Sequence, residues 1–170
     1  MVKWSPHIGD VLKVNFDGSV NGDSTVGSFV IRNPLGKPLA ASALYLGHTT
    51  VPVAEASALR SNLLFAKEKG FVNIKVEGDS KLVIDSVNGS IAPPWRLLKI
   101  VEYIRALAFS FTIFFFKHVF REINFVVDAL ANLGHKTRVS SFWNDHIPCE
   151  ASNALVFDSV NLRYPRGTSI

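Results

Sequence analysis

One cysteine, Cys149, stands in 170 residues. A lone thiol excludes an internal disulfide framework and every zinc pattern built on several cysteines, and it fits a reducing compartment. Long hydrophobic runs are also missing. The most apolar stretch, Phe109-Ser-Phe-Thr-Ile-Phe-Phe-Phe116, is far short of the roughly 20 residues needed to cross a bilayer and reads as a buried strand. The opening Met1-Val-Lys-Trp-Ser-Pro-His7 has no apolar core of signal-peptide length, so the expected location is intracellular, cytoplasmic or nuclear, with no secretion and no membrane. Blocks of basic residues are absent as well: 18 Lys and Arg against 14 Asp and Glu leave a net charge of +4 with the cations scattered. A polyanionic partner would therefore have to meet a folded face rather than a basic arm.

What the chain does hold is core, since 48% of its residues are hydrophobic, enough at this length for one domain. Val11 to Asp17 alternates with the period of two that marks a strand, Val26 to Ile31 reads as a second, and Leu39 to Leu46 as a third, joined by turn chemistry at Gly22-Asp23-Ser24 and Asn33-Pro34-Leu35-Gly36-Lys37. Three strands on short links predict an antiparallel meander. From Pro52 to Gly70 the apolar spacing becomes helical, opened by Pro and closed by Gly. A strand over Val72 to Glu77, helices over Ser80 to Val87 and Pro94 to Ala108, an aromatic strand over Ala108 to Val119 and a helix over Asn124 to Leu133, ended by Gly134, complete the pattern. Strands alternating with helices require crossovers and a parallel portion of sheet. The fold class is α/β, a mixed sheet with helices on both faces. Residues 1–10 read as an extension and 11–136 as the domain. Residues 137–170 read as a partly ordered tail with one strand-like stretch at Ala154 to Phe157.

Acids recur where strands give way to turns. Asp17 follows the first strand and Asp79 follows the fourth in Glu77-Gly-Asp-Ser80; on parallel strands both carboxylates reach the carboxyl edge of the sheet, where α/β folds bind ligands. Glu55, expected in the first turn of its helix, has a sufficient explanation in the helix dipole and reads singly as a surface residue. Asp128 is flanked by apolar residues in Phe125-Val-Val-Asp-Ala-Leu130, a placement balanced between surface and site. Converging carboxylates repel one another unless cations neutralise them. Hard oxygen donors without cysteine point to Mg²⁺ or Mn²⁺, and two such ions roughly 4 Å apart suit phosphodiester hydrolysis by an activated water.

Four blocks carry a resemblance. Asn15-Phe-Asp-Gly-Ser19, Ala54-Glu-Ala-Ser-Ala-Leu59, Glu77-Gly-Asp-Ser-Lys-Leu82 and His118-Val-Phe-Arg-Glu-Ile-Asn-Phe-Val-Val-Asp-Ala-Leu-Ala131 resemble, in order and spacing, the signature blocks of the ribonuclease H family, in particular its plant branch associated with retrotransposon-derived reading frames. The resemblance runs from about Val11 to His135. It implies a ribonuclease H-like fold with a five-stranded sheet, three antiparallel strands followed by two parallel. It also implies a metal-dependent endoribonuclease acting on the RNA strand of an RNA/DNA hybrid. By motif position Asp17, Glu55, Asp79 and Asp128 are implied as catalytic, metal-binding carboxylates, and His118 as the histidine that assists proton transfer or product release.

The resemblance also implies RNA 2′-hydroxyl contacts near the first and third carboxylates, to which Ser19, Asn21 and Ser80 are placed to contribute, although turn and capping roles explain them equally well. Between Ser86 and Arg105 only Trp95, Arg96, Lys99 and Arg105 are available to grip a DNA strand, so weak hybrid affinity is expected. A catalytically idle module of the same fold, binding nucleic acid or a protein, is the second reading. A phosphotransfer domain of the haloacid dehalogenase or receiver type ranks below both, because Ser19 stands where an Asp-x-Asp pair needs its second acid. The protein is expected to be a monomer.

Overall fold

The computed structural model describes residues 10–118 and 125–155. β1 (Leu12–Asn21) buries Leu12, Val14 and Phe16 on one side, and the pleat sends Lys13, Asn15 and Asp17 to the other. It turns back at Gly22, whose φ of +61° suits a residue without a side chain, into the fully buried β2 (Ser24–Arg32). The side chain of Asn33 then accepts from the backbone N–H groups of Leu35 at 3.0 Å and Lys37 at 2.8 Å, an Asx-type closure that leads into β3 (Pro38–Tyr45).

α1 (Val51–Glu68) crosses to β4 (Asn73–Gly78), which lies parallel beside β1. α2 (Lys81–Asn88) and α3 (Leu98–Ala108) lead to β5 (Ile113–His118), parallel to β4. α4 (Phe125–Thr137) and β6 (Ser141–Asn144) follow, and the sheet order is β5-β4-β1-β2-β3-β6. The three antiparallel and two parallel strands are as expected, but a sixth is added. β6 arises within the segment expected as tail and pairs antiparallel with β3, Ala41 opposite Trp143. Four residues are too few for a periodic signal; the open edge of β3 is what organises them. Ala154 and Leu155, expected in a strand, belong instead to a helical segment over 149–155 that buries Ala151, and residues 156–157 lie outside the described part.

Two cores hold the layers together. α1 and α3 cover one face, where Leu59, Leu63, Val101 and Ile104 meet Val14, Phe16, Phe29 and Ile31. α4 covers the other with Val126, Val127 and Leu130 against Val30 and Ala41. Gly134 does not end α4. A Cβ there would meet the side chain of Val26 at 2.8 Å, so the glycine serves close packing of helix on sheet rather than a left-handed cap. α3 ends at Ala108 as expected but starts at Leu98 rather than Pro94, and the aromatic strand starts only at Ile113 because a turn follows the helix and leaves Phe109 exposed; Val119 and Asn124 lie outside the described residues. No helix among the described residues is long and apolar enough to cross a membrane.

Candidate active site

Asp17 does not end its strand. β1 runs on to Asn21 because β2 pairs with it throughout, Asp17 opposite Ser28, whereas the parallel pairing with β4 stops at Phe16 opposite Gly78. What ends at Asp17 is the neighbour, and the notch so opened receives Asp79, the first residue beyond β4.

Glu55 reaches the same notch through two missing side chains. Gly18 and Gly27 are directly paired across β1 and β2. A Cβ on Gly18 would meet Val51 O, Glu55 N and Glu55 Cγ, each at 2.8 Å, and one on Gly27 would meet Ala54 O at 2.7 Å. The bare pair lets the start of α1 lie directly on the sheet, which lowers Glu55 beside Asp17. Glu55 is accordingly in the second turn of α1 and buried, not a surface residue of the first.

Carboxylate oxygens of Asp17, Glu55 and Asp79 all lie within 4.8 Å of one another. From the opposite face Asp128 hydrogen-bonds Asp17. A clamp sets it there: the hydroxyl of Ser28, the strand partner of Asp17, donates to Val127 O at 2.8 Å, fixing α4 one residue before Asp128. Burial, then the charge of Asp79 and the hydrogen bond with Asp128, push the Asp17 carboxyl up from 3.8 to about 8, against the pull of the Gly18 backbone N–H.

The donor set is all oxygen, compact and repulsive, and it fits a hard divalent cation. Asp17, Glu55 and Asp79 are grouped closely enough to hold it, with Asp128 beside them on Asp17.

The other expected residues spread around this cluster. His118 is exposed, with Nε2 3.0 Å from Asp79 O. Ser80 is buried as the N-cap of α2, its Oγ accepting from Val83 N at 3.3 Å. Asn21 is exposed at the end of the β1–β2 hairpin. Ser19 shares the face of Asp17 but bonds His135 at 2.9 Å. Of the four residues available to grip DNA, Arg105 is engaged elsewhere: its guanidinium donates to Val87 O at 3.2 Å and to Ser86 O, closing the end of α2. Trp95 is 80% exposed with Arg96 stacked 5.2 Å from its ring.

Three features escape the sequence reading. They are the Ser28 clamp, the contact of His135, and the pairing of buried Glu77 with Lys75 at 3.1 Å and Lys13 at 3.6 Å. Only His135 left a signal, at seven residues beyond Asp128 and thus on the same helical face.

A family model described as reverse transcriptase-like matches residues 15–134, a span that includes all four carboxylates. The chain belongs to the reverse transcriptase-like family. An Arabidopsis thaliana protein bearing a provisional ribonuclease H name is 28% identical over 98% of this chain, which spans only 27% of that relative's length. Among solved structures, RNase H1 from the archaeon Halobacterium salinarum is similar with a TM-score of 0.69 at 28% identity, over 76% of this chain and 99% of that one. The N-terminal RNase H domain of a Mycobacterium tuberculosis protein gives 0.71 at 28% identity, over 76% and 96%. The reverse transcriptase-like domain thus has the ribonuclease H fold.

Proposed function

We propose that this domain is a metal-dependent endoribonuclease that hydrolyses the RNA strand of RNA/DNA hybrids by a two-metal-ion mechanism. The observation that carries the reading is the meeting of Asp17, Glu55 and Asp79 within 4.8 Å, with Asp128 bonded to Asp17. The names and folds of its relatives supply the chemistry such a cluster performs. Mg²⁺ or Mn²⁺ at this cluster would activate water and stabilise the leaving oxygen of an in-line displacement.

The chain's own residues divide the remaining work. Asp17 and Asp79 approach from the two parallel strands and Glu55 from α1, their oxygens within 4.8 Å of one another, while Asp128 joins from α4 on the opposite face through its bond to Asp17. Burial first, and then the charge of Asp79, keep a proton on Asp17, and a cation held there would offset both. His118, exposed and 3.0 Å from the backbone of Asp79, is placed to carry a proton to or from solvent beside the reacting phosphate. Ser80, occupied as a cap, serves the substrate through its helix terminus more than through its hydroxyl.

The capping role of Arg105 favours one element of the second reading, a module that holds nucleic acid weakly and does not cut it. Incubation with a labelled RNA/DNA hybrid beside duplex DNA and duplex RNA separates the two. Mg²⁺ and Mn²⁺ should give products with 3′-hydroxyl and 5′-phosphate ends, while Ca²⁺, larger and less exacting in geometry, should bind without product. Thermal stabilisation by all three ions with no product from any would establish the idle module. Cleavage in excess chelator, or 2′,3′-cyclic phosphate ends, would defeat the two-metal mechanism.

A further inference from the structure

His135 bonds through both ring nitrogens to two serines on neighbouring strands: Nδ1 lies 2.7 Å from Ser24 Oγ and Nε2 lies 2.9 Å from Ser19 Oγ. Ser24 is 2% exposed, whereas Ser19 is only half-buried. The three groups thus form a chain that runs from the interior outward and ends two residues from Asp17, on the same face of β1. β4 has already stopped at Gly78 opposite Phe16, so the flank of β1 at Ser19 is open on that side. α4 makes both contacts along β1, Asp128 to Asp17 and His135 to Ser19, its last turn held close by Gly134 against Val26.

A neutral imidazole has one donor and one acceptor, and each hydroxyl has one proton, so the chain has a direction. The buried hydroxyl of Ser24 finds one partner among the described residues, His135. If Nδ1 carried the proton, the proton of Ser24 would be buried without an acceptor, the costlier arrangement. Ser24 therefore donates to Nδ1, Nε2–H donates to Ser19, and the proton of Ser19 points outward. Burial of the ring, with Arg138 adding to it, holds the imidazole pKa below its usual value and favours this neutral form.

Resting on the nuclease reading, we infer that His135 is a positioning residue that fixes the hydroxyl of Ser19 as a hydrogen-bond donor to a sugar-phosphate oxygen of the bound RNA strand. Ser19 is then a recognition residue by virtue of a histidine 116 positions away, and Ser24 sets the tautomer. The role differs from that of a bare packing contact, because it depends on a proton at a stated atom.

Steady-state cleavage and hybrid binding by fluorescence anisotropy in Ca²⁺ test it together. His135→Leu should raise KM and Kd about tenfold, the value of one directed hydrogen bond, with kcat falling less than about threefold. Ser19→Ala should do the same and the double variant no more. His135→Gln, whose amide N–H can occupy the place of Nε2–H, should recover most of the loss. Hybrids with a single 2′-deoxy or methylphosphonate substitution in the RNA strand should show which oxygen is met, since the Ser19→Ala penalty vanishes on that substrate alone. Long-range ¹⁵N–¹H correlations should show Nδ1 without a proton.

A loss confined to kcat with weakened Mg²⁺ binding would make His135 a buttress for Asp128 and overturn the inference, as would additive single variants or the Nδ1–H tautomer. If the wild-type protein binds hybrid but does not cut it, the nuclease reading fails while the Kd series still decides this one. If it neither binds nor cuts, both fall.

Discussion

Two buried acids share one face of the same sheet and live under opposite conditions. Glu77, 5% exposed, lies between Lys75 and Lys13 on its own and the adjacent strand. Asp17, 4% exposed and two residues along β1 from the strand partner of Glu77, has Asp79 and Asp128 for company. The first acid is satisfied by the protein, so it holds strands together and has nothing left to offer a ligand. The second is held in a state that only protons or an added cation relieve. A carboxylate near a strand end is therefore no sign of a site in itself; what distinguishes a site is which charges the neighbouring strands supply.

The sharpest test of that contrast removes a charge from the crowded cluster. Asp79→Asn should lower cleavage by more than about 100-fold, since loss of mere supporting contacts at metal sites already costs 10- to 100-fold. The same change should raise the melting temperature of the metal-free protein, because one of the charges that burden Asp17 is gone. Near-normal turnover would remove Asp79 from the machinery. A fall in melting temperature would mean that its carboxylate supports the fold as Glu77 does.

The pH dependence follows from the raised Asp17 carboxyl. Folded Asp17 keeps its proton up to about pH 8, whereas in the unfolded chain it ionises near 3.9. The stability it lends the metal-free protein is fully present below about pH 4, declines as pH rises, and is lost above about pH 8, a change on the order of a few kcal/mol. Mg²⁺ should act in the opposite sense, raising the melting temperature more at pH 8.5 than at pH 5.5, because cation and proton compete for one cluster. A Mg²⁺ effect equal at both values would break the link between Asp17 and the cation.

How much of this was legible in the sequence varied with the length and locality of the signal. The four blocks named every acid that the notch collects, and the long periodic α1 was placed to within two residues at either end. Four particulars were not legible, for separate reasons. The mid-strand position of Asp17 depends on how far β2 pairs with β1, and the notch beside it on where β4 stops, neither of which a local pattern contains. Glu55 looked like a dipole partner because its burial is produced by Gly18 and Gly27, residues 37 and 28 positions away. Gly134 looked like a helix end because the sequence shows a glycine but not the valine packed on it. β6, at four residues, was too short to announce itself.

Gly18 offers an intermediate test, since it shapes the site without carrying chemistry. Gly18→Ala places a methyl group on Val51 O and Glu55, where the obstacle is partly backbone. α1 must lift, at a cost of about 1–3 kcal/mol typical of an overfilled contact. Mg²⁺ affinity should fall in step, because Glu55 retreats with the helix. Calorimetric titration with Mg²⁺ beside a melting curve checks both. A variant that loses stability but binds Mg²⁺ normally would show that Glu55 is not needed to hold the cation.

The smallest effect is the one that decides whether the opening contrast is sound. Glu77→Gln keeps the shape of the side chain and removes the charge that pairs Lys75 and Lys13, side chains 27% and 32% exposed. Because both lysines still reach water, the loss should be modest, about 1 kcal/mol, smaller than for a fully buried pair. Asp17→Asn, also isosteric and also in a buried strand position, should stabilise the metal-free protein instead, since an amide carries no charge to desolvate and can donate to Asp128. Two conservative changes on one sheet face should thus shift the melting temperature in opposite directions. Only the Asp17 variant should lose cleavage and the response to Mg²⁺. Were Glu77→Gln also stabilising, its lysines would not be compensating it, and burial alone would separate the two acids no better than their positions in the sequence do.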